Sequence, residues 1–170
     1  MQIFTRFYLL LAGVVFFLFA PIMANADSIP TIIYSDQNGK KHTLDTSKNK
    51  LTAVHFWATW CKPCIKELPY ANAAQKKFYG QGFKMIALSV DSSAEVDNVR
   101  KFYNEKNIDS LDLFFVADIS IFQALRMRGL PTTIFVDSEG EIVLRVGGSV
   151  NWEDIKTQKF IEYQIARAGR

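Results

Sequence analysis

Cys61 and Cys64 are the only cysteines in the 170-residue chain, and they stand two residues apart in Trp60-Cys61-Lys62-Pro63-Cys64. Apolar Leu51 to Trp57 precede them, and apolar residues at helical spacing follow (Ile65, Leu68, Ala71, Phe78). The pair therefore falls where a strand gives way to a helix. A helix start offers unpaired backbone N–H groups and the positive end of the macrodipole, both of which favour a thiolate over a thiol. Thiol–disulfide exchange is the chemistry open to such a pair. The alternative is a structural bridge, but closing so short a loop constrains little of the unfolded chain.

The flanking sequence supplies the elements that position this junction. Thr31 to Ser35 and Lys41 to Leu44 flank Asn38-Gly39, a hairpin signal because both turn residues tolerate positive φ. Leu51 to Trp57 reads as a buried central strand, and Cys64 to Tyr79 as a helix kinked at Pro69. Lys84 to Val90 is a second buried strand, closed by Asp91; Ala94 to Lys106 is an amphipathic helix. The spacing then predicts a strand over Leu111 to Val116, a helix over Ile119 to Met127, and a hairpin of Thr132 to Asp137 with Glu141 to Val146. A last helix, capped by Asn151, runs to about Ala166. Alternating strands and helices of this kind imply an α/β domain: an open sheet with helices on both faces and a site beyond the C-terminal end of a strand.

Residues 1–26 have the layout of an export signal: a short positive start ending at Arg6, an apolar run from Phe7 to Ala20, Pro21, and the triplet Ala24-Asn25-Ala26. An uncleaved membrane anchor is the rival reading, since the apolar run can be stretched toward the ~20 residues that span a bilayer. Either way residues 27–170 form one domain outside the cytoplasm, where a bridge between two cysteines is ordinary. A content of 49% hydrophobic residues suffices for a core, and a net charge of +3 from 20 basic and 17 acidic residues does not point to nucleic acid.

Phe56-Trp57-Ala58-Thr59-Trp60-Cys61-Lys62-Pro63-Cys64, Gly129-Leu130-Pro131-Thr132-Thr133 and Asp137-Ser138-Glu139-Gly140 together resemble the thioredoxin superfamily, and more narrowly its TlpA/ResA-type exported thiol-disulfide reductases. The resemblance implies a thioredoxin-like fold, a central mixed β-sheet flanked by helices with an N-terminal β-hairpin, and Pro131 in cis beside a redox disulfide Cys61–Cys64. Cys61 is then the attacking thiolate, helped by the charge of Lys62, and Cys64 resolves the mixed disulfide. Pro63 suits the first helical turn, where its missing N–H had no partner. Glu67, three residues after Cys64, is expected to exchange protons with the pair, against the alternative of an exposed residue complementing the dipole. His55 departs from the family pattern, which places an acid or a neutral polar residue there; it is either a proton relay or a hydrogen-bonded core residue. Trp60 borders the substrate groove, and Leu130 with Pro131 forms its opposite wall, the Leu130 backbone pairing with an extended client.

The implied function is reduction of protein disulfides, with apocytochrome c as characteristic client and a membrane thiol carrier as electron donor. It requires no cofactor. A dithiol oxidase or isomerase would use the same residues. Copper handling is a third reading, because Cys61, Cys64, His42 and His55 nominally supply four ligands, though His42 belongs to the hairpin.

Overall fold

A computed structural model of the chain describes residues 27–168; the leader expected over residues 1–26 lies outside the described residues. Seven strands form one sheet: β1 (Ile33–Asp36), β2 (Lys41–Thr43), β3 (Leu51–Trp57), β4 (Phe83–Ser89), β5 (Phe114–Val116), β6 (Thr132–Asp137) and β7 (Ile142–Gly147). Their order is β2-β1-β5-β4-β3-β6-β7. β3, β4 and β5 run parallel, while β6, β7 and the N-terminal hairpin add antiparallel edges. The helices are α1 (Lys62–Phe78), α2 (Val96–Glu105), α3 (Ile121–Ala124) and α4 (Ile155–Arg167).

β3 lies between β4 and β6, and all seven of its residues are buried. Leu51, Ala53 and Trp57 face a core shared with α1, α2 and α4, whereas Val54 and Phe56 face a second core with Ile121 and Leu125. A strand covered on both faces explains the continuous apolar run, which lacks the alternation of a half-exposed strand. α1 turns Cys64, Glu67, Leu68, Ala71, Gln75 and Phe78 inward at helical spacing. It continues through Pro69, which forfeits one backbone bond to the carbonyl of Ile65.

Several expected boundaries moved. The strand predicted from Leu111 begins only at Phe114, and side chains of α1 bond the backbone close to it. Gln75 Oε1 accepts from the N–H of Met85 in β4 (2.6 Å), and Asn72 Oδ1 accepts from the N–H of Ser110 (2.8 Å). The helix expected over Ile119 to Met127 shrinks to the single turn of α3, since Arg126 takes a left-handed φ of 52° and Met127 N–H reaches back to the carbonyl of Phe122. α2 starts at Val96 after a 3₁₀ turn, Ser93–Glu95, closed by a Ser92/Glu95 capping box. In the first hairpin only Gly39, not Asn38, has positive φ (78°), and Asp36 Oδ1 accepts from the N–H groups of Asn38 and Lys40. α4 is capped at Asp154, not Asn151; Asn151 instead closes a preceding turn by accepting from Asp154 N–H.

Leu68 is fully buried between α1 and the sheet, whereas Leu144 on the edge strand is 39% exposed. Leu68→Ala should lower unfolding free energy by about 2–5 kcal/mol. Leu144→Ala should change it by less than about 0.5 kcal/mol. Urea titration of both variants measures the contrast.

Candidate active site

β3 ends at Trp57, and Cys61 is the N-cap residue of α1 in extended backbone geometry (φ −85°, ψ 98°). Cys61 and Cys64 are joined by a disulfide with a Cα–Cα separation of 5.2 Å. No side chain caps the start of α1 and its first turn holds no acid, so the helix N-terminus acts on the sulfurs without competition. Cys61 keeps 6% exposure and Cys64 none, which orders the two thiols as outer and inner. Trp60 is 68% exposed beside them, and Lys62 and Pro63 are exposed at the first two helical positions.

Asp91 fastens this loop. It follows β4, whose Ser89 pairs with Trp57, and Val90 N–H continues the ladder to the carbonyl of Trp57 (2.9 Å). The buried Asp91 carboxylate accepts from Thr59 N–H (2.9 Å), Thr59 O–H (2.8 Å) and Ser89 O–H (2.6 Å). Sequence reasoning treated Asp91 only as the end of a strand. The signal was its place after the strand parallel to β3, at the sheet end where sites gather.

The Leu130–Pro131 peptide is cis. Thr132 pairs with Phe56, so Pro131 comes opposite the end of β3, where the cysteine loop departs. Thr132 O–H donates to the carbonyl of Gly129 (2.7 Å), and Gly148 N–H donates to that of Pro131 (2.9 Å). Leu130 is half-buried against both cores, and its backbone N–H and C=O have no hydrogen-bond partner among the described residues.

A buried polar cluster sits one turn along α1. Glu67 Oε1 accepts from the indole N–H of Trp152 (2.8 Å) and from Val150 N–H (3.1 Å). Burial raises the Glu67 pKa above the ordinary carboxylate range, opposed by hydrogen bonds from Val150, Trp152 and Ser149. His55 is fully buried, with Nδ1 2.9 Å from Thr133 Oγ1 and 3.9 Å from Glu67 Oε1. Burial pushes the His55 pKa down to about 4, so the ring is neutral at pH 7. His55 Nε2 and Glu67 Oε2 are both buried without a partner among the described residues. Glu67 is thus an interior acid, not the exposed dipole partner, while His55 has the hydrogen bond of a core residue as well as contact with that acid. Trp152, which the helix predicted after Asn151 would have included, joins the cluster from the turn before α4.

His42 is remote from this cluster, on the hairpin with Nε2 2.9 Å from Asp36 Oδ2. Among the described residues no group of three or more His, Cys, Asp and Glu side chains gathers that could hold a metal ion.

The Redoxin family model matches residues 24–160. The thiol-disulfide oxidoreductase ResA of Bacillus subtilis is 33% identical over 129 residues, covering 75% of this chain and 70% of that protein. ResA of Geobacillus thermodenitrificans is 30% identical over 141 residues, covering 83% and 79%. Among solved structures, the thioredoxin domain of a thiol-disulfide oxidoreductase from Bacteroides vulgatus superposes with a TM-score of 0.68 at 24% identity, covering 84% of this chain and 99% of that one. A thiol:disulfide interchange protein from Bacteroides sp. gives 0.64 at 26% identity, covering 82% and 91%.

The titration of His55 has a definite sign. Between its folded pKa of about 4 and its ordinary 6.5, the unfolded chain binds a proton that the folded chain does not, so acidification through that window destabilises the fold. At about 1.4 kcal/mol per pKa unit the loss is on the order of 3 kcal/mol. Glu67 slopes the other way, losing stability as pH rises above the carboxylate range. His55→Asn should therefore flatten the loss of unfolding free energy between pH 7 and pH 4.5, measured by urea titration at each pH. An acid limb as steep as in the unaltered chain would assign it to other groups.

Proposed function

The chain belongs to the redoxin family and is a thiol-disulfide oxidoreductase of the ResA type, and on that premise we propose that it works as an exported dithiol reductase of protein disulfides. The observation that carries the reading is the asymmetry of the pair at an uncapped helix start: Cys61 keeps a small exposed area, and Cys64 has none. In the reduced protein the Cys61 thiolate attacks a client disulfide, forming a mixed disulfide and releasing one client thiolate. Cys64, having lost its proton, then attacks the Cys61 sulfur, forming the Cys61–Cys64 bond and releasing the second client thiolate. Two electrons pass to the client, whose two thiolates take up protons.

We assign to Glu67 the acceptance of the Cys64 proton; it follows Cys64 by one helical turn, is shielded from water, and has a carboxylate oxygen without a partner among the described residues. His55 holds Glu67 in a neutral surrounding and fixes Thr133 at the start of β6. Lys62 adds positive charge at the first helical position, and Pro63 needs no backbone partner there. Pro131 closes the other side of the cysteines, Trp60 offers an exposed apolar face to a client, and the unpaired backbone of Leu130 supports pairing with an extended segment.

The leader-like character of residues 1–26 supports export of a domain spanning residues 27–170, either free in the periplasm or held at the outer face of the cytoplasmic membrane. Among the described residues no helix is long and apolar enough to cross a membrane. An exported reductase must be recharged from the membrane, so a transmembrane thiol carrier is the donor. Apocytochrome c, whose haem-binding cysteines must be reduced before ligation, is the client class we assign.

Cys64→Ser should accumulate mixed disulfides through Cys61 in the native host, identifiable by mass spectrometry after non-reducing separation; no trapped partner would count against the assignment. Glu67→Gln keeps an acceptor for Trp152 but does not titrate. It should slow resolution of the mixed disulfide by about tenfold or more. It should also remove the inflection that Glu67 places above the carboxylate range in the pH–rate profile. Stopped-flow tryptophan fluorescence reads both, and an unchanged profile would leave Glu67 a purely structural acceptor.

A further inference from the structure

A groove of about 510 Å³ opens between the segment that follows α3 and strands β6 and β7. One wall is Leu130 and Pro131, and Pro131 lies opposite the end of β3, where the cysteine loop departs. Its apolar lining includes Leu125 and Ile134. Its charged lining is Arg126, Arg128 and Arg145, and no acid contributes to it. The whole chain is nearly balanced, with 20 basic and 17 acidic residues, so an all-cationic groove is a local feature and not a reflection of composition.

The three arginines are not equivalent. Arg145 is already engaged, donating to Asp27 Oδ2 (2.7 Å) and to the carbonyl of Leu125 (2.9 Å). Arg126 and Arg128 are exposed and take part in no ion pair among the described residues. Arg126 is presented by a left-handed residue (φ 52°), the conformation that ends α3 and turns the chain toward the cis peptide. Two exposed arginines thus line, together with the apolar Leu125 and Ile134, a trough that also borders Leu130, whose backbone N–H and C=O have no partner among the described residues. A small inorganic anion would use the guanidinium groups alone. An extended polypeptide uses all three features: backbone groups against Leu130, apolar side chains in the trough, and carboxylates on the arginines.

We propose that this groove docks the client segment flanking the reactive cysteine, and that Arg126 and Arg128 select segments carrying acidic residues. The proposal rests on the reductase reading and adds a substrate preference to it. The chemistry is the exchange already written: the client's S–S bond breaks, the Cys61–Cys64 bond forms, and two electrons and two protons move to the client. Long-range attraction raises the encounter rate of an oppositely charged segment and fades with salt.

The test uses three disulfide-containing peptides that differ only in the residues flanking the cysteines: glutamate, glutamine or lysine. With the reduced full chain at low ionic strength, the second-order rate constant of single-turnover reduction should rank glutamate above glutamine above lysine, with about tenfold between the extremes. The spread should shrink at high salt. Arg126→Gln/Arg128→Gln should abolish the ranking, and Arg126→Glu/Arg128→Glu should invert it. Because the readout is a ratio between peptides within one variant, any general loss of activity cancels. Equal rates for the three peptides with the unaltered chain would overturn the proposal, as would a ranking that survives in the double variants. Neutral 2-hydroxyethyl disulfide separates the two levels: if the unaltered chain reduces it but does not rank the peptides, only the groove assignment falls. If it reduces neither, the reductase reading falls and the proposal with it.

Discussion

The turn from β3 into α1 is the constraint on which the rest of the structure depends. A strand buried on both faces must end, and a helix whose first N–H groups lack partners must begin, within Ala58 to Cys61. Ordinarily a Ser, Thr, Asp or Asn side chain would satisfy that start, and the cost of omitting one is about 1 kcal/mol. Here a cysteine stands in the capping position, and the stabilisation comes from outside the helix. Asp91 holds Thr59 by two hydrogen bonds and is itself held by Ser89, tying the loop to β4 without placing a carboxylate among the helix N–H groups. The electrostatic environment of the sulfurs is therefore left positive while the loop is made rigid, two requirements that a conventional acidic cap could not meet together.

The cluster behind the cysteines follows from the same economy of polar groups in a dry interior. Glu67, His55, Thr133 and Trp152 come from α1, β3, β6 and the turn before α4, so the cluster links four separate elements. Two of its atoms, Glu67 Oε2 and His55 Nε2, have no partner among the described residues. An apolar quartet of similar shape would be more stable, since an unsatisfied buried polar atom costs about 1–3 kcal/mol. A buried acid that can change charge gives that expenditure a purpose, and departures from good packing chemistry concentrate where function demands them.

What the sequence revealed and what it concealed divide along one physical line. β3, β6, α1 and the first hairpin were legible because local pattern determines them: a continuous apolar run, helical spacing and a Gly39 turn. The Cys61–Cys64 disulfide and the cis peptide at Pro131 were legible because short motifs carry the family resemblance that implies them. The features that escaped are side-chain bonds to distant residues. Asn72 and Gln75 accept from the backbone N–H groups of Ser110 and Met85, 38 and 10 residues away in the chain. Trp152 leaves the expected helix because its indole is drawn 85 residues across the chain to Glu67. Asp91 escaped for the same reason, its partner Thr59 lying 32 residues away. Periodicity registers which face is buried, and it is blind to which polar atom on that face finds a partner.

The opposing demands on the reduced pair bear on the direction of electron flow. Every influence that favours the thiolate, here the open helix N-terminus and Lys62, stabilises the reduced protein and makes it more oxidising, at about 30 mV for each 1.4 kcal/mol. Influences that oppose the thiolate do the reverse, and they act on the inner sulfur. Cys64 is fully buried, and Glu67, if charged, would add a negative neighbour. A pair so divided, with the helix N-terminus at the outer sulfur and full burial at the inner one, suits the reductase role proposed above.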